Sequence, residues 1–312
     1  MGQNTRDMRV WAALAIVYVV WGSTYLGIRI TIETIPPMLS GGVRFLVAAL
    51  VLASVLTLRR GRAVFRMTRA EFLGACVVGV LLLTAGNGMV SLAEQYISSG
   101  LAALLVASVP LWLVVFRVLA RDRPQALTVA GVLVGFCGVA GLSLTGGGDG
   151  SVAGVVIILC GALAWSVGSF LSGRVRMPRD PFAASAVEMT AGGLAMLVIG
   201  PLLGERPHVE AISTGSLVAL VYLILVGSLV GFTSYVWLLG NAPISLASTY
   251  AYVNPVVAVL LGVIVLGEDV TAQMVAAGVV IVLGVALVVS TERRGRRAVR
   301  DAPAGEAELS PS

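Results

Sequence analysis

No soluble fold accommodates a chain whose apolar residues come in runs of about 20, one after another, along nearly its whole length. Such runs fall near residues 10–32, 37–58, 70–92, 98–120, 126–145, 152–175, 181–203, 214–238, 244–266 and 271–290. Each is bounded by Gly, Pro or charge, and each is long enough to cross a hydrocarbon core of about 30 Å as a helix. The pattern predicts an all-α integral membrane protein with ten transmembrane helices. Charged residues make up only 12% of the chain, about half the share found in soluble domains. A soluble enzyme, a nucleic-acid-binding protein and a disordered chain are therefore not expected. The first run follows Arg6 and Arg9 as a signal peptide would, but it continues for a full span with no small-residue cleavage site, which reads as a retained helix.

Several chemistries lack their reagents. All 21 basic residues are Arg, so no Lys exists for a Walker A loop or a Schiff base. Cys76, Cys137 and Cys160 are odd in number and lie inside apolar runs, which speaks against disulfides and zinc. The single histidine, His208, sits beside Glu205, Arg206, Pro207 and Glu210 and reads as a solvated loop residue. No cofactor and no metal is expected, and neither is an enzyme.

Arginine sets the predicted orientation, because short Arg-rich loops stay cytoplasmic during insertion. With the N-terminus inside, the cytoplasmic segments collect 18 of the 21 arginines. These are Arg6 and Arg9, the group from Arg59 to Arg69, the groups at Arg117–Arg123 and Arg174–Arg179, and the run Arg293–Arg300. Only Arg206 falls on the other side, where Glu33, Glu94, Asp149, Glu205, Glu210, Glu268 and Asp269 lie; Arg29 and Arg44 fall within spans. The expected organisation is a cytoplasmic N-terminus (1–9), five helices (10–145), five more (152–290), and a basic and then disordered cytoplasmic tail (291–312) that anchors topology.

At an offset of about 144 to 147 residues the chain matches itself. Trp21-Gly22-Ser23 falls on Trp165-Ser166, Pro37 on Pro181, Arg44 on Glu188 and Pro110 on Pro255. Gly131-Val132 and Gly138-Val139-Ala140 fall on Gly278-Val279 and Gly284-Val285-Ala286. Two copies of five helices must enter the membrane in opposite senses, since five is odd. The expected architecture is thus two inverted five-helix repeats, an arrangement that lets one central site face either side in turn.

The opening Val20-Trp21-Gly22-Ser23-Thr24-Tyr25-Leu26-Gly27-Ile28-Arg29, followed by Pro36-Pro37 and Gly42-Val43-Arg44-Phe45, resembles the EamA branch of the drug/metabolite transporter superfamily. In the second half, Tyr252-Val253-Asn254-Pro255-Val256-Val257-Ala258 and Leu266-Gly267-Glu268 resemble that family's ninth-helix segment. The resemblance implies an exporter of small metabolites, amino acids or drugs in a bacterial inner membrane. One departure stands out: after the fourth helix, where the family often reads Leu-Gly-Glu-x-Pro, this chain has Ala120-Arg121-Asp122-Arg123-Pro124.

Polar groups at membrane depth mark the candidate transport residues. Arg44 and Glu188 each lie seven residues past a proline, Pro37 or Pro181, about 10 Å along a helix. A direct ion pair and a bridge through water or a zwitterionic solute both fit, and Glu188 is the expected proton carrier. Pro110 and Pro255 interrupt helices four and nine in corresponding places and are candidate hinges. Asn254 either satisfies freed backbone groups or faces substrate, whereas Asn87 is assigned to helix–helix bonding. Trp21, Tyr25, Trp165, Tyr250 and Tyr252 pack between helices or line a cavity. Arg29 is expected to snorkel outward beside Glu33, and Gly131, Gly135, Gly138 and Gly141 to mark close helix packing. The expected partners are a small-molecule solute, protons as a candidate coupling ion, and the bilayer; a monomer and a homodimer both remain open, and no nucleic acid is involved. The alternatives are an uptake permease of the same fold and a lipid-modifying membrane enzyme, the latter lacking any cluster of catalytic residues near one membrane face.

Overall fold

The computed structural model describes residues 2–121, 124–144, 152–241 and 250–301. The expectations for Asp122 and Arg123, for Asp149, for residues 244–249 at the start of the ninth run, and for the tail from 302 lie outside the described residues. Among those described there is no strand. The helices are α1 (Gly2–Thr31), α2 (Pro37–Arg60), α3 (Arg69–Gly79) and α4 (Gly88–Ala93), α5 (Ser99–Val106), α6 (Val109–Leu119) and α7 (Ala126–Leu144). They continue as α8 (Val152–Ser172), α9 (Pro181–Leu202), α10 (Thr214–Tyr222), α11 (Gly231–Asn241), α12 (Tyr250–Leu261) and α13 (Ala272–Asp301). Wider π turns join α3 to α4 (Val80–Asn87) and α10 to α11 (Leu223–Val230), and a third closes α12 (Gly262–Leu266).

Seven segments are long and apolar enough to cross a membrane by length and composition: Met8–Thr31, Pro37–Arg60, Arg69–Ala93, Ser99–Leu119, Val152–Ser172, Pro181–Leu202 and Thr214–Tyr235. Ala126–Gly141, Val253–Leu266 and Ala272–Val288 are shorter apolar helices. Two boundaries differ from expectation. Helix α1 already begins at Gly2, and α13 runs through the basic segment to Asp301 instead of ending near 290. Arg is a good helix former and the preceding turns supply a nucleus, so the helix propagates beyond its apolar part.

Local signals explain most ends. Pro36-Pro37 stops the chain from continuing α1 and starts α2 with proline in its first turn. Thr68 and Glu71 form a reciprocal capping box on α3. Asp180 caps α9 by accepting from the amides of Phe182 and Ala183 at 2.9 Å each, and its other oxygen accepts from Arg60 at 2.8 Å. Gly61 and Gly267 take the left-handed backbone that ends α2 and the π turn after α12, at φ 75° and 65°.

Large apolar side chains lie outside as well as inside: Leu58, Leu202 and Val152 are among the most exposed, while Leu14, Leu101, Leu111 and Ile281 are fully buried. An apolar exterior is what a lipid solvent favours. Inside, helices approach through glycine. Gly42 of α2 and Gly193 of α9 bring those two helices together, and Gly131, Gly135 and Gly138 of α7 meet Gly284, Ile281 and Val288 of α13. Gly141, the fourth of the predicted series, faces open space. Both pairs run antiparallel. Other contacts between halves include α1 with α10, α11 and α12, α8 with α3, α4, α5, α6 and the π turn after α3, α5 with α12, α2 with the π turn after α10, and α9 with α3 and the π turn after it.

At one end of the bundle, carboxylates from the second half reach across to the first. Glu205, past the end of α9, accepts from the amides of Met38 and Leu39 at 2.9 and 3.0 Å. Glu268, past the end of α12, accepts from Ser99 and Gly100 at 2.8 and 3.1 Å. Each anion thereby satisfies two of the orphan amides at a helix N-terminus and complements its dipole. The same end holds a hydrogen bond from the Ser213 amide to Thr34 at 3.1 Å.

Candidate functional site

A cavity of about 190 Å³ opens where the helices deviate from regular geometry. The two π turns contribute Leu83 and Asn87 on one side and Gly227 and Ser228 on the other. The break at Ala107-Ser108, just before Pro110, splits the rod Ser99–Leu119 into α5 and α6. Proline at the start of α6 needs no amide partner, so the interruption falls where Pro110 makes it least costly. Pro255 also lines the cavity, but α12 runs through it without a break. The paired interruptions read from the sequence are thus unequal.

Of the predicted site residues, Trp21, Tyr25, Arg44, Trp165, Tyr250, Asn254, Pro110 and Pro255 all line this cavity. Glu188 does not. It sits where α9 crosses α3, its backbone against Gly79, and it forms no salt bridge with Arg44. Arg44 turns towards Gly227 and Ser228. Arg44 is 6% exposed; its Nε donates to Ser228 Oγ at 2.9 Å, and its guanidinium lies 4.9 Å from the Phe45 ring centroid. Among the described residues it is the only formally charged one in the lining.

Aromatic rings make up much of the remaining wall. Trp21 packs against Tyr235 and Tyr250 with ring centroids 5.0 Å apart in both cases, and Tyr235 meets Tyr250 at 5.6 Å. Edge and tilted contacts of this kind hold rings rigidly. Trp165 lies over Gly86, where any side chain would collide with it. Thr24, Phe45 and Phe232 complete the mixed polar and aromatic surface.

Sequence reasoning missed Tyr235, which packs on the lining rings of Trp21 and Tyr250, and Ser228, and it placed Asn87 elsewhere. Tyr235 carried the same signal as the other mid-span aromatics. Ser228 gave none, since a serine in an apolar helix ordinarily bonds back to its own backbone. Asn87 was assigned to helix–helix bonding, yet its side chain lines the cavity, and the amide oxygens of both Asn87 and Asn254 are buried without a partner. Arg29 also departs from expectation: its guanidinium donates to the backbone carbonyl of Glu94 rather than pairing with the exposed Glu33.

The model of the EamA-like transporter family matches residues 9–144 and again residues 152–290. The chain belongs to that family. It is 38% identical over 274 residues to the uncharacterized inner membrane transporter YedA of Escherichia coli K12, covering 87% of this chain and 88% of the relative. It is 27% identical over 290 residues to the uncharacterized transporter YvbV of Bacillus subtilis, covering 91% and 92%. A solved crystal structure at 23% identity superposes with a TM-score of 0.64 over 94% of this chain and 99% of that one, which shows the same fold. These relatives are named as transporters, and this EamA family member is a membrane transporter with the cavity described above as its candidate site.

Proposed function

We propose that this transporter exports small zwitterionic metabolites with apolar bodies, such as α-amino acids, by alternating access of one central site. The observation that carries this reading is the polarity of the cavity. Its lining holds one guanidinium, Arg44, the amides of Asn87 and Asn254, whose buried oxygens have no partner until a side chain turns towards a solute, and aromatic faces. A carboxylate suits the first and an ammonium the second, while the rings accept an apolar side chain. A volume near 190 Å³ lies below the roughly 300–1,000 Å³ of drug-sized pockets, which favours metabolites over drugs.

Alternating access needs two conformations of similar energy, and inverted repeats supply them. Three observations support inverted repeats of five helices, ten in all. The family model matches twice. The contacts between halves recur in exchanged form: α1 packs on α10–α12 as α8 packs on α3–α6, and α2 meets the second π turn as α9 meets the first. Arg121 takes a left-handed φ of 63° after α6, as Gly267 does at 65° after α12, so the backbone turn is shared where the side chain is not. The arginine distribution supports both termini on the cytoplasmic face of the inner membrane. The carboxylate-clasped end then faces outward.

Pro110 and Pro255 are the proposed hinges. Pro110→Ala should let α5 and α6 merge, and it and Pro255→Ala should lower turnover more than they lower the amount of folded protein in the membrane. Normal turnover in both variants would reduce the prolines to tolerated packing elements.

The substrate reading is tested by thermal unfolding of purified protein across matched solutes. Leucine and phenylalanine should raise the unfolding temperature, as any ligand of the folded state does; at a hundredfold excess over the dissociation constant the gain is about 2.7 kcal/mol. The corresponding amines, which lack the carboxylate, should not. Equal stabilisation by the amines would overturn the assignment, and counterflow into oriented vesicles reads the direction.

A further inference from the structure

Among the described residues, a fully buried acid lies behind the cavity. Glu94 is the first residue past α4, and its sequence position reads as a solvated loop. In the structure it is 0% exposed, and neither carboxylate oxygen has a hydrogen-bond partner. A charge so placed is far more costly than a neutral acid unless it is fully paired. Arg29 from α1 is beside it, but its hydrogen bond goes to the Glu94 backbone carbonyl, not to the carboxylate. The other titratable groups near it are Glu268, from the turn after α12, and the Tyr25 phenol of α1. The first turn of α8, Val152–Val155, packs on the neighbouring Ala93, Tyr96 and Ile97 and carries no ionisable side chain.

We propose that Glu94 is a proton-binding site whose occupancy closes the carboxylate-clasped end of the bundle, linking access at that end to pH. With that end shut, Glu94 is cut off from water and unpartnered, so the shut state takes the acid in its neutral form. When the end opens, water reaches the carboxyl and the proton leaves to it. Glu268 adds to the linkage: it clasps Ser99 and Gly100 as an anion, and a second anion at Glu94 would repel it. Burial holds the Glu94 carboxyl well above the usual carboxylate range; Arg29 opposes that shift and Glu268 reinforces it. A proton suits the place better than a metal ion, because the Arg29 guanidinium beside it repels a second cation. Tyr25 both lines the cavity and packs against the cluster holding Ala93 and Ile97, so solute and proton sites share a wall.

The inference rests on alternating access, and its test needs no solute. Ser99, fully buried under the Glu268 clasp, is replaced by cysteine in the full-length protein in membranes. Its labelling by an impermeant maleimide is followed from pH 5 to 8, beside the same variant carrying Glu94→Gln. Relative to the Gln variant, labelling should rise with pH, by up to about tenfold per pH unit, the limit for one linked proton. Glu94→Asp, which keeps the acid, should retain the dependence with a displaced midpoint. Identical pH curves with Glu and Gln at position 94, or loss of the dependence in Glu94→Asp, would overturn the proposal. Labelling that follows sodium at fixed pH, and only with Glu94 present, would overturn it in favour of a metal cation. Failure of the amino-acid reading would leave these curves unchanged.

Discussion

Replacing Arg44 by alanine should weaken binding of a carboxylate-bearing solute by roughly tenfold to a hundredfold, the scale of losing one buried hydrogen bond to a charged group. The protein itself should fold, because alanine removes a buried cation rather than stranding a partner: Ser228 loses one donor but keeps access to its own helix backbone. Arg44→Lys retains the charge yet has no Nε to meet Ser228 Oγ at 2.9 Å and no planar fork for a carboxylate, so it should fall between the two. Solute-dependent thermal shifts read the affinities. Unchanged affinity in Arg44→Ala would remove the guanidinium from the site.

A second large effect is expected at the seam between α7 and α13, where two glycines invite opposite outcomes from the same substitution. A Cβ at Gly284 would lie 2.5 Å from the Gly135 amide nitrogen and 2.6 Å from its Cα. Backbone atoms cannot rotate away as a side chain would, so Gly284→Ala forces the helices apart. Overpacking of this kind costs about 1–3 kcal/mol. A Cβ at Gly141 of α7 would meet nothing within 4 Å, and alanine there gains up to about 1 kcal/mol of helix propensity. Thermal unfolding of the two variants should therefore move in opposite directions. A Gly284→Ala protein as stable as its parent would contradict the close approach of the two backbones.

The sequence made the spans legible because lipid imposes a simple rule, apolar residues for the length of a core, and it made most of the cavity legible because polar groups inside such runs need a reason. Trp21, Tyr25, Arg44, Trp165, Tyr250 and Asn254 were found this way. Glu188 was drawn in by its position opposite Arg44 in the repeat offset. A repeat offset pairs positions without bringing them into contact: Arg44 lines the cavity, and Glu188 is not in its lining. Glu94 was placed in an exposed loop for the converse reason: it is buried among partners distant in sequence, Arg29 of α1 among them, which no local pattern records. Ser228 depends on a π turn that shifts the helix face by a fraction of a turn, a displacement below what apolar periodicity can resolve.

The two carboxylate clasps have a consequence for the membrane that contains them. Glu205 and Glu268 satisfy four backbone amides that would otherwise demand water. With these groups satisfied by protein, that end of the bundle has less need of a hydrated path, and water that does not enter cannot carry ions across. On the alternating-access reading, such a carrier at rest would act as a plug. It can be abundant in a membrane without draining the ion gradients on which that membrane depends.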